Sequence, residues 1–231
     1  MSKLTCVTGY WNVKNKHGEK FNSWFEKTLN VDHPYIFFCD NKNIVNKHRK
    51  NFPTEYIDIK LENFYLHNKK NIWTDPVHCP SEELNIIWNE KVFLLQRAVE
   101  INPYSSDWFL WVDAGLCIWR NRTIERPLVL NYSALEELPE DKFIFSSSNE
   151  KFEIDKFSTN VNYHYVSGVF LINKKIVNDF CLEYKKCLDN ILKNKSVFTD
   201  QIIYTHIYLK KPDLFFKLSH GYGAVAGHLF Y

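Results

Sequence analysis

The feature that most constrains the fold is a run of five apolar residues, Trp108–Val112, that ends in the carboxylate of Asp113. Two small residues, Ala114 and Gly115, follow at once. A continuous apolar run bounded in this way predicts a strand buried on both faces of a largely parallel sheet. Open α/β sheets bind ligands at the carboxyl ends of their strands, so we expect Asp113 to contact a metal or a substrate. The alternative is that Asp113 caps a turn or a following helix.

Chain length and composition favour one compact domain. The 231 residues can bury a substantial core, and a hydrophobic content of 45% with 16% aromatic residues excludes a disordered chain. The 29 lysines and arginines nearly balance the 27 acidic residues, so there is no strongly basic field to hold nucleic acid.

The same sequence favours a cytoplasmic location. Met1–Lys3 leads directly into a strand-like segment, so we expect no signal peptide. No apolar run approaches the roughly 20 residues that span a bilayer, although peripheral membrane contact stays open. The six cysteines include no Cys-x-x-Cys pair, which disfavours a structural zinc site and favours reduced thiols.

Predicted strands alternate with predicted helices, which is typical of an α/β fold with a mostly parallel central sheet flanked by helices. The predicted strands are Lys3–Tyr10, Tyr35–Asp40, Glu55–Leu61, Trp108–Val112, Phe143–Ser147, Val169–Ile172 and Phe215–Leu218. The predicted helices are Phe21–Leu29, Ser81–Ile101, Ile176–Asn194 and Thr199–Tyr208. A glycine-rich tail is expected over Ser219–Gly227, and no linker divides the chain, so we predict a single domain over 1–231.

Three later segments add polar residues at expected element ends. They are the small-residue turn before the strand at Tyr165–Asn173, the acid and amide in Phe198–Gln201, and the histidine loop Leu218–Gly223. In this order, after Asp113, they resemble the GT-A fold glycosyltransferases that use nucleotide sugars, with the motif order of the glycogenin-like branch (family 8). A closer resemblance is to the bacterial HtrL/YibB-like group. The motifs that carry it are Val7–Trp11, Ser81-x-Glu83-Leu84, Ile87-Trp88-x-Glu90-Lys91, Trp111–Gly115 and Thr199–Gln201.

The resemblance implies a transferase that moves a sugar from a nucleotide-sugar donor to a carbohydrate or glycoconjugate acceptor. By family habit the donor is a UDP-sugar and the cofactor is Mn²⁺ or Mg²⁺. The metal ligands would be Asp113 and His220, with His228 as the fallback. The nucleotide-binding part would cover about residues 1–120, and the part that binds the acceptor and closes the metal site about 121–231.

The resemblance also assigns roles to individual residues. Asp200 and Asp113 are the expected catalytic residues, with Asp200 beside the transferred sugar or the acceptor. The residues expected to hold the donor are Thr8, Gly9, Tyr10, Asp40, Lys91, Asp113, Ala114, Gly115, Ser167, Gly168, Gln201 and Gly221. Five of the named residues have a structural alternative: Tyr10 as a sheet-edge residue, Asp40 as a turn cap, Lys91 as a surface lysine, Asp200 as a helix cap and His220 as a satisfied core or loop histidine. Trp73, Trp88 and Trp119 are either apolar platforms for sugar rings or core residues.

One departure from the GT-A pattern is Gly115, which stands where the second acid of the Asp-x-Asp motif is found. Asp113, His220 and two diphosphate oxygens could still complete a metal shell, or the site is weak in metal or free of it. Two alternatives to a transferase therefore stay open. One is a degenerate protein that binds nucleotide sugars without turnover. The other is a metal-dependent phosphoesterase that uses Asp40, Asp113 and Asp200, although two-metal sites need clustered carboxylates.

Overall fold

The computed structural model describes residues 3–18, 20–115, 126–160, 162–193, 195–196 and 198–231. In this part of the chain, one sheet contains seven strands in the order β3-β2-β1-β4-β6-β5-β7. The strands are β1 (Leu4–Tyr10), β2 (Tyr35–Cys39), β3 (Thr54–Asp58), β4 (Trp108–Trp111), β5 (Phe143–Ser147), β6 (Val166–Asn173) and β7 (Phe215–His220). The α-helices are α1 (Lys20–Thr28), α2 (Lys42–His48), α3 (Glu82–Ile101), α4 (Tyr132–Glu136), α5 (Ile154–Thr159), α6 (Val177–Leu192), α7 (Asp200–Lys210) and α8 (Ala224–Leu229). Short 3₁₀ turns cover Leu61–Asn63 and Pro212–Leu214.

The sheet is mostly parallel, as predicted. Strands β1, β2, β3 and β4 pair in parallel, as do β5 and β7, whereas β6 runs antiparallel to both β4 and β5. Trp111 of β4 lies opposite Phe170 of β6. Because β6 runs the other way, its first residues lie beside the carboxyl end of β4. Gly168 is thereby brought to the edge of the sheet where Asp113 follows β4.

Strand β4 is buried on both faces, which confirms the interpretation of its apolar run. Phe109 and Trp111 belong to the core on one face of the sheet, and Trp108 and Leu110 belong to the core on the other. Alternate side chains of a strand point to opposite faces, so four successive large residues stabilise both layers. Burial of each such side chain contributes about 1.5–3 kcal/mol.

Helix α3 has the boundaries that the sequence predicts, and its capping explains them. Ser81 Oγ accepts a hydrogen bond from Leu84 N at 3.2 Å, which satisfies one of the free amides of the first turn. Glu82 and Glu83 lie in that turn, where acidic side chains are stabilised by the helix dipole. The helix ends at Ile101, and the next residue, Asn102, caps it in the left-handed conformation with a φ of 35°.

The C-terminal segment differs from the prediction of a glycine-rich tail. Strand β7 extends to His220, Gly221 and Gly223 turn the chain with φ of 109° and 80°, and helix α8 follows. Val225, Ala226 and Leu229 of α8 are buried against the sheet. The glycines form a turn between two ordered elements, because the apolar residues after them have a core surface to cover.

Two further observations concern membrane-spanning helices and cysteines. None of the helices in the described ranges has the length and apolar character needed to cross a bilayer. The cysteines in those ranges are free thiols. Cys117 and Trp119 lie outside the described residues.

Candidate functional site

A cavity of about 410 Å³ opens at the carboxyl edge of β1 and β4. Its floor comes from the strand ends and its walls from the start of α7, one face of α3 and the loop after β7. The lining includes Gly9, Tyr10, Trp11, Phe21, Leu84, Ile87, Trp88, Lys91, Asp113, Ala114, Gly115, His164, Thr199, Asp200, Gln201 and Tyr222. The volume is that of a small-molecule site.

Three charged side chains meet in this cavity, and we call Lys91, Asp113 and Asp200 the lysine–carboxylate cluster. Lys91 Nζ lies 2.9 Å from Asp113 Oδ1 and 3.1 Å from Asp200 Oδ2. The side chains of Lys91 and Asp200 are 4% and 2% exposed, and that of Asp113 is 23% exposed. Removal of one partner from a buried ion pair leaves an uncompensated charge in the interior, which strongly destabilises the fold. The three groups of the cluster therefore stabilise one another.

Each member of the cluster comes from a different element. Leu84, Ile87, Trp88 and Lys91 follow one another at positions i, i+3, i+4 and i+7 of α3, so they share the helix face that lines the cavity. Asp113 stands two residues beyond β4, and Asp200 is the first residue of α7. The N-terminus of a helix stabilises a carboxylate, because its backbone amides carry partial positive charge.

Hydrogen bonds fix Asp113 from three directions. Besides Lys91, Trp111 Nε1 donates to Oδ1 at 2.9 Å and Tyr222 Oη donates to Oδ2 at 2.6 Å. Burial alone would raise the pKa of Asp113, but Lys91 and these donors hold it below its ordinary value. Asp113 is therefore an ionised carboxylate at neutral pH.

Asp200 has the opposite tendency. Burial raises its pKa to about 6, although Lys91 acts against this shift. For Lys91, burial would lower the pKa, but the two adjacent carboxylates raise it above the ordinary value. Asp200 is thus the member of the cluster whose proton affinity lies closest to neutral pH, which suits a group that accepts a proton.

Gly168 leaves room for the cluster. A Cβ at this position would lie 3.0 Å from Lys91 Nζ and 3.3 Å from Asp200 Oδ2. The Gly168 carbonyl oxygen lies 3.5 Å from Lys91 Nζ and accepts its hydrogen bond. A side chain here would press on the buried ammonium group, which would have to shift by a few tenths of an ångström to make room.

Several cavity-lining residues have a buried polar atom without a hydrogen-bond partner among the described residues. These atoms include His164 Nδ1, Thr199 Oγ1 and Gln201 Nε2, the last two on either side of Asp200 in the sequence. Burial of an unsatisfied donor or acceptor costs about 1–3 kcal/mol. A bound ligand that hydrogen-bonded to Thr199 Oγ1 or Gln201 Nε2 would offset that cost.

The structure brings together most of the residues predicted from the sequence. Those that line the cavity are Gly9, Tyr10, Lys91, Asp113, Ala114, Gly115, Asp200 and Gln201. Gly168 borders the cluster. Trp88 lines the cavity as well, whereas the ring of Trp73 lies 5.6 Å from that of Phe198, at an interplanar angle of 60°.

Other predicted residues lie outside the lining. Thr8 is buried in β1, and Ser167 is buried with its Oγ 3.0 Å from Ser146 Oγ. Asp40 is exposed after β2. The remaining three, Gly221, His220 and His228, belong to the C-terminal segment, where both histidines are exposed. Ligand contact by these six residues stays a prediction.

The residues at Asp113 fit a divalent ion poorly. Both carboxylate oxygens already accept hydrogen bonds, and His220 Nδ1 is 3.1 Å from Ser147 Oγ. Within the described ranges, no group of three or more His, Cys, Asp or Glu side chains could hold a metal ion. The prediction that Asp113 and His220 bind Mn²⁺ or Mg²⁺ stays a prediction.

Residues that sequence reasoning missed include Trp111, Tyr222 and Phe21. Tyr222 stands two residues from His220 in the loop whose histidine is the predicted ligand. Its position between Gly221 and Gly223 is the sequence signal that points to it. Phe21 had none, because its ring meets Gly115 only through the tertiary fold.

The fold and site define an α/β protein with a ligand cavity at the carboxyl edge of a mostly parallel sheet. A family described as "Bacterial protein of unknown function (HtrL_YibB)" matches residues 68–230, more than half of the chain. The chain therefore belongs to the HtrL_YibB family. No curated protein sequence matches the chain.

Among solved structures, the chain is similar to mouse xyloside xylosyltransferase 1 in its apo form, with a TM-score of 0.54 and 12% sequence identity. That match covers 94% of this chain and 84% of the mouse chain, so the two share the fold. The glycosyltransferase GlyE of Streptococcus pneumoniae TIGR4 matches with a TM-score of 0.47 and 13% identity, over 94% of this chain and 45% of GlyE. The predicted α/β fold, with a mostly parallel central sheet flanked by helices, is confirmed by the sheet topology and by the fold shared with the mouse chain.

Proposed function

We propose that the protein is a glycosyltransferase that moves a sugar from a nucleotide-sugar donor to a carbohydrate or glycoconjugate acceptor. The observation that carries the proposal is the lysine–carboxylate cluster in a cavity of about 410 Å³ at the ligand-binding edge of the sheet. The fold shared with a xylosyltransferase supports it.

The chemistry of the cluster suits this reaction. In a direct displacement, the acceptor oxygen forms a bond to the anomeric carbon while the bond to the diphosphate breaks. The nucleoside diphosphate leaves with the bonding electrons, and the acceptor hydroxyl gives its proton to a carboxylate. Asp200, with a pKa of about 6, is our choice for that base, and Lys91 offsets charge on the leaving phosphate. A retaining enzyme would not need so strong a base at Asp200.

The donor is proposed to lie across the strand ends. Gly9 and Tyr10 would hold the nucleoside, Ala114 and Gly115 the diphosphate, and Gln201 the sugar. The finer assignments remain proposals based on the family resemblance: UDP as the nucleotide, a hexosyl or pentosyl group, the division near residue 120 and a cytoplasmic location. The Mn²⁺ or Mg²⁺ that the resemblance implies is not part of the proposal, because the residues at Asp113 fit a divalent ion poorly.

One alternative keeps support from a specific observation. Gly115 replaces the second acid of the family motif, which favours a protein that binds nucleotide sugars without turnover. The phosphoesterase alternative lacks such support, because it needs Asp40 beside Asp113 and Asp200. Asp40 is exposed and does not line the cavity.

Calorimetric titration of UDP, GDP and CMP into the pure protein tests donor binding, and sugar release or transfer from a panel of nucleotide sugars tests turnover. We expect one nucleotide to bind, and we expect Asp200→Asn to reduce turnover more than donor affinity. Binding without turnover in the wild-type protein would favour the degenerate alternative. No binding of any nucleotide would contradict the proposal.

A further inference from the structure

The position of Lys91 raises the question of what cation the site uses. In a carboxylate-rich donor site, a divalent ion normally bridges acidic side chains and phosphate oxygens. Here an ammonium group occupies the space between the two carboxylates, 2.9 Å from Asp113 and 3.1 Å from Asp200. The Gly168 carbonyl oxygen is a third oxygen near Nζ, at 3.5 Å. Three oxygens from three elements thus surround a single positive charge.

A second observation concerns the place of the missing acid. A Cβ added to Gly115 would lie 2.7 Å from the ring of Phe21, closer than real Cβ contacts allow. The side chain of an aspartate is larger still, so residue 115 cannot carry a carboxylate unless Phe21 moves. The ring of Phe21 therefore occupies the region into which a second metal-binding acid would project.

A third observation concerns Asp113 itself. Its Oδ1 accepts from Lys91 and Trp111, and its Oδ2 accepts from Tyr222 at 2.6 Å. Both acceptor positions of Oδ1 are thereby filled, so a metal ion at about 2.0–2.1 Å from Oδ1 would have to displace Lys91 or Trp111, and one position on Oδ2 stays open. Each displacement leaves a buried donor without its partner, at a cost of about 1–3 kcal/mol.

We infer that Lys91 takes the place of the divalent ion, so that the donor diphosphate is bound without a metal. The inference rests on the proposed function and deepens it. Lys91 reaches the cavity, and Lys16 lines the cavity mouth, so a second cation is available to a ligand with two negative charges. The carboxylates hold the ammonium group in place, and the absence of a Cβ at Gly168 gives it room.

The first arm of the test uses the wild-type protein alone. Nucleoside diphosphate is titrated calorimetrically in EDTA and again in excess Mn²⁺. If Lys91 is the cation, the dissociation constants differ by no more than about twofold, because no metal bridges ligand and protein. Binding that requires Mn²⁺ would overturn the inference and leave the proposed function standing.

The second arm needs no nucleotide, so it separates failure of this inference from failure of the proposed function. Mn²⁺ alone is titrated into wild-type protein and into Lys91→Ala, with bound ion measured by electron paramagnetic resonance. Removal of the ammonium group leaves two carboxylates around a vacated space. We expect Lys91→Ala to bind Mn²⁺ at least about tenfold more tightly than wild type does.

Controls make each outcome informative. Lys174→Ala removes the cation of an exposed ion pair with Asp107, 2.9 Å apart, and should bind no additional Mn²⁺. Circular dichroism establishes that Lys91→Ala is folded; if it is not, the wild-type arms still decide. Tight Mn²⁺ binding by wild type overturns the inference whether or not any nucleotide binds. If wild type binds Mn²⁺ weakly and the first arm finds no nucleotide binding, the assignment of Lys91 is supported and the proposed nucleotide-sugar donor is rejected.

Discussion

At the scale of single residues, the site depends on close contacts among groups that are distant in sequence. Lys91 is stabilised by two carboxylates, and Asp113 by three hydrogen-bond donors. Desolvation makes every unmatched charge here expensive, whereas an ion pair in water contributes at most about 1 kcal/mol. Substitutions in the cluster should therefore affect function and stability together, more than comparable substitutions at the surface.

Asp113→Asn is expected to reduce turnover by about 100-fold or more, because the amide is neutral and cannot hold Lys91 and the donor pocket in the same arrangement. The free energy of unfolding should fall by about 1–3 kcal/mol. Steady-state kinetics and urea unfolding measure both effects. Asp107→Asn, at an exposed ion pair with Lys174, is the control and should change stability by at most about 1 kcal/mol. Full activity of Asp113→Asn would remove Asp113 from the catalytic residues.

Gly168→Ala tests the space around the ammonium group. The new methyl would lie 3.0 Å from Lys91 Nζ, so the ammonium group has to shift by a few tenths of an ångström within the cluster. We expect turnover to fall by about tenfold or more, while the cost in stability is about 1–3 kcal/mol. Kinetics with saturating donor measures turnover, and urea unfolding measures the free energy of unfolding. Unchanged kinetics would mean that the exact position of Lys91 does not matter.

At the scale of secondary-structure elements, helix α3 does most to organise the site, because it carries Lys91 and the apolar wall of the cavity. Ser81 caps its first turn. Polar residues in its interior, such as Asn89, Glu90 and Lys91, are buried against the rest of the protein. Glu90 accepts a hydrogen bond from Tyr65 N at 2.9 Å. Polar groups so deeply buried in a helix are a source of both specificity and pH dependence.

Ser81→Ala is expected to lower the free energy of unfolding by about 0.5–2 kcal/mol, because Leu84 N loses its capping partner. Ser81→Asp retains an acceptor at the cap and should be close to wild type. Thermal or urea unfolding of the three proteins is the measurement. Equal loss in both variants would show that the cap does not account for the effect of Ser81.

Glu90 predicts a pH dependence of stability. Burial raises its pKa from 4.5 to about 8, so the folded protein holds a proton that the unfolded chain releases between these values. The free energy of unfolding contributed by this group therefore falls as the pH rises through that window. Glu90→Gln cannot ionise and should be more stable than wild type by on the order of 2–4 kcal/mol at pH 9, and similar at pH 4. Parallel unfolding curves of the two proteins across this range would contradict the assignment.

At the scale of the whole molecule, the C-terminal segment closes the site. It contributes β7 at the edge of the sheet, Tyr222 at Asp113, and α8 on the core below. The chain end is tied to the segment before α4: Asn131 N donates to Leu229 O at 2.7 Å and Val129 N donates to Tyr231 O at 3.1 Å. The loop that holds Tyr222 thus lies between two anchored elements.

Leu229→Ala tests this anchoring. Leu229 is fully buried, so its truncation should cost about 2–5 kcal/mol and weaken the support of the Tyr222 loop. Leu182→Ala, at a leucine that is 51% exposed on α6, should change stability by about 0.5 kcal/mol or less. Calorimetric melting of both variants is the measurement. Equal melting temperatures would mean that α8 adds little to the fold.

The sequence alone determined the elements whose signals are local. The apolar run at Trp108–Val112 defined β4, Ser81 and the acids after it defined the start of α3, and Phe143–Ser147 matched β5. Periodicity and capping act within a few residues, so a linear reading can detect them. The position of Asp113 at the end of the apolar run pointed to its role, and the family resemblance added Lys91 and Asp200.

Only the tertiary structure decided how those residues meet. Lys91 and Asp200 are 109 positions apart, and their contact depends on the antiparallel entry of β6 and on the packing of α7 beside α3. The glycine-rich tail became a turn and helix α8 because the core offered a surface for Val225 and Leu229. Phe21 filled the space beside Gly115 for the same reason. Strand order and side-chain packing are set by long-range burial and sterics, which leave no local pattern in the sequence to detect.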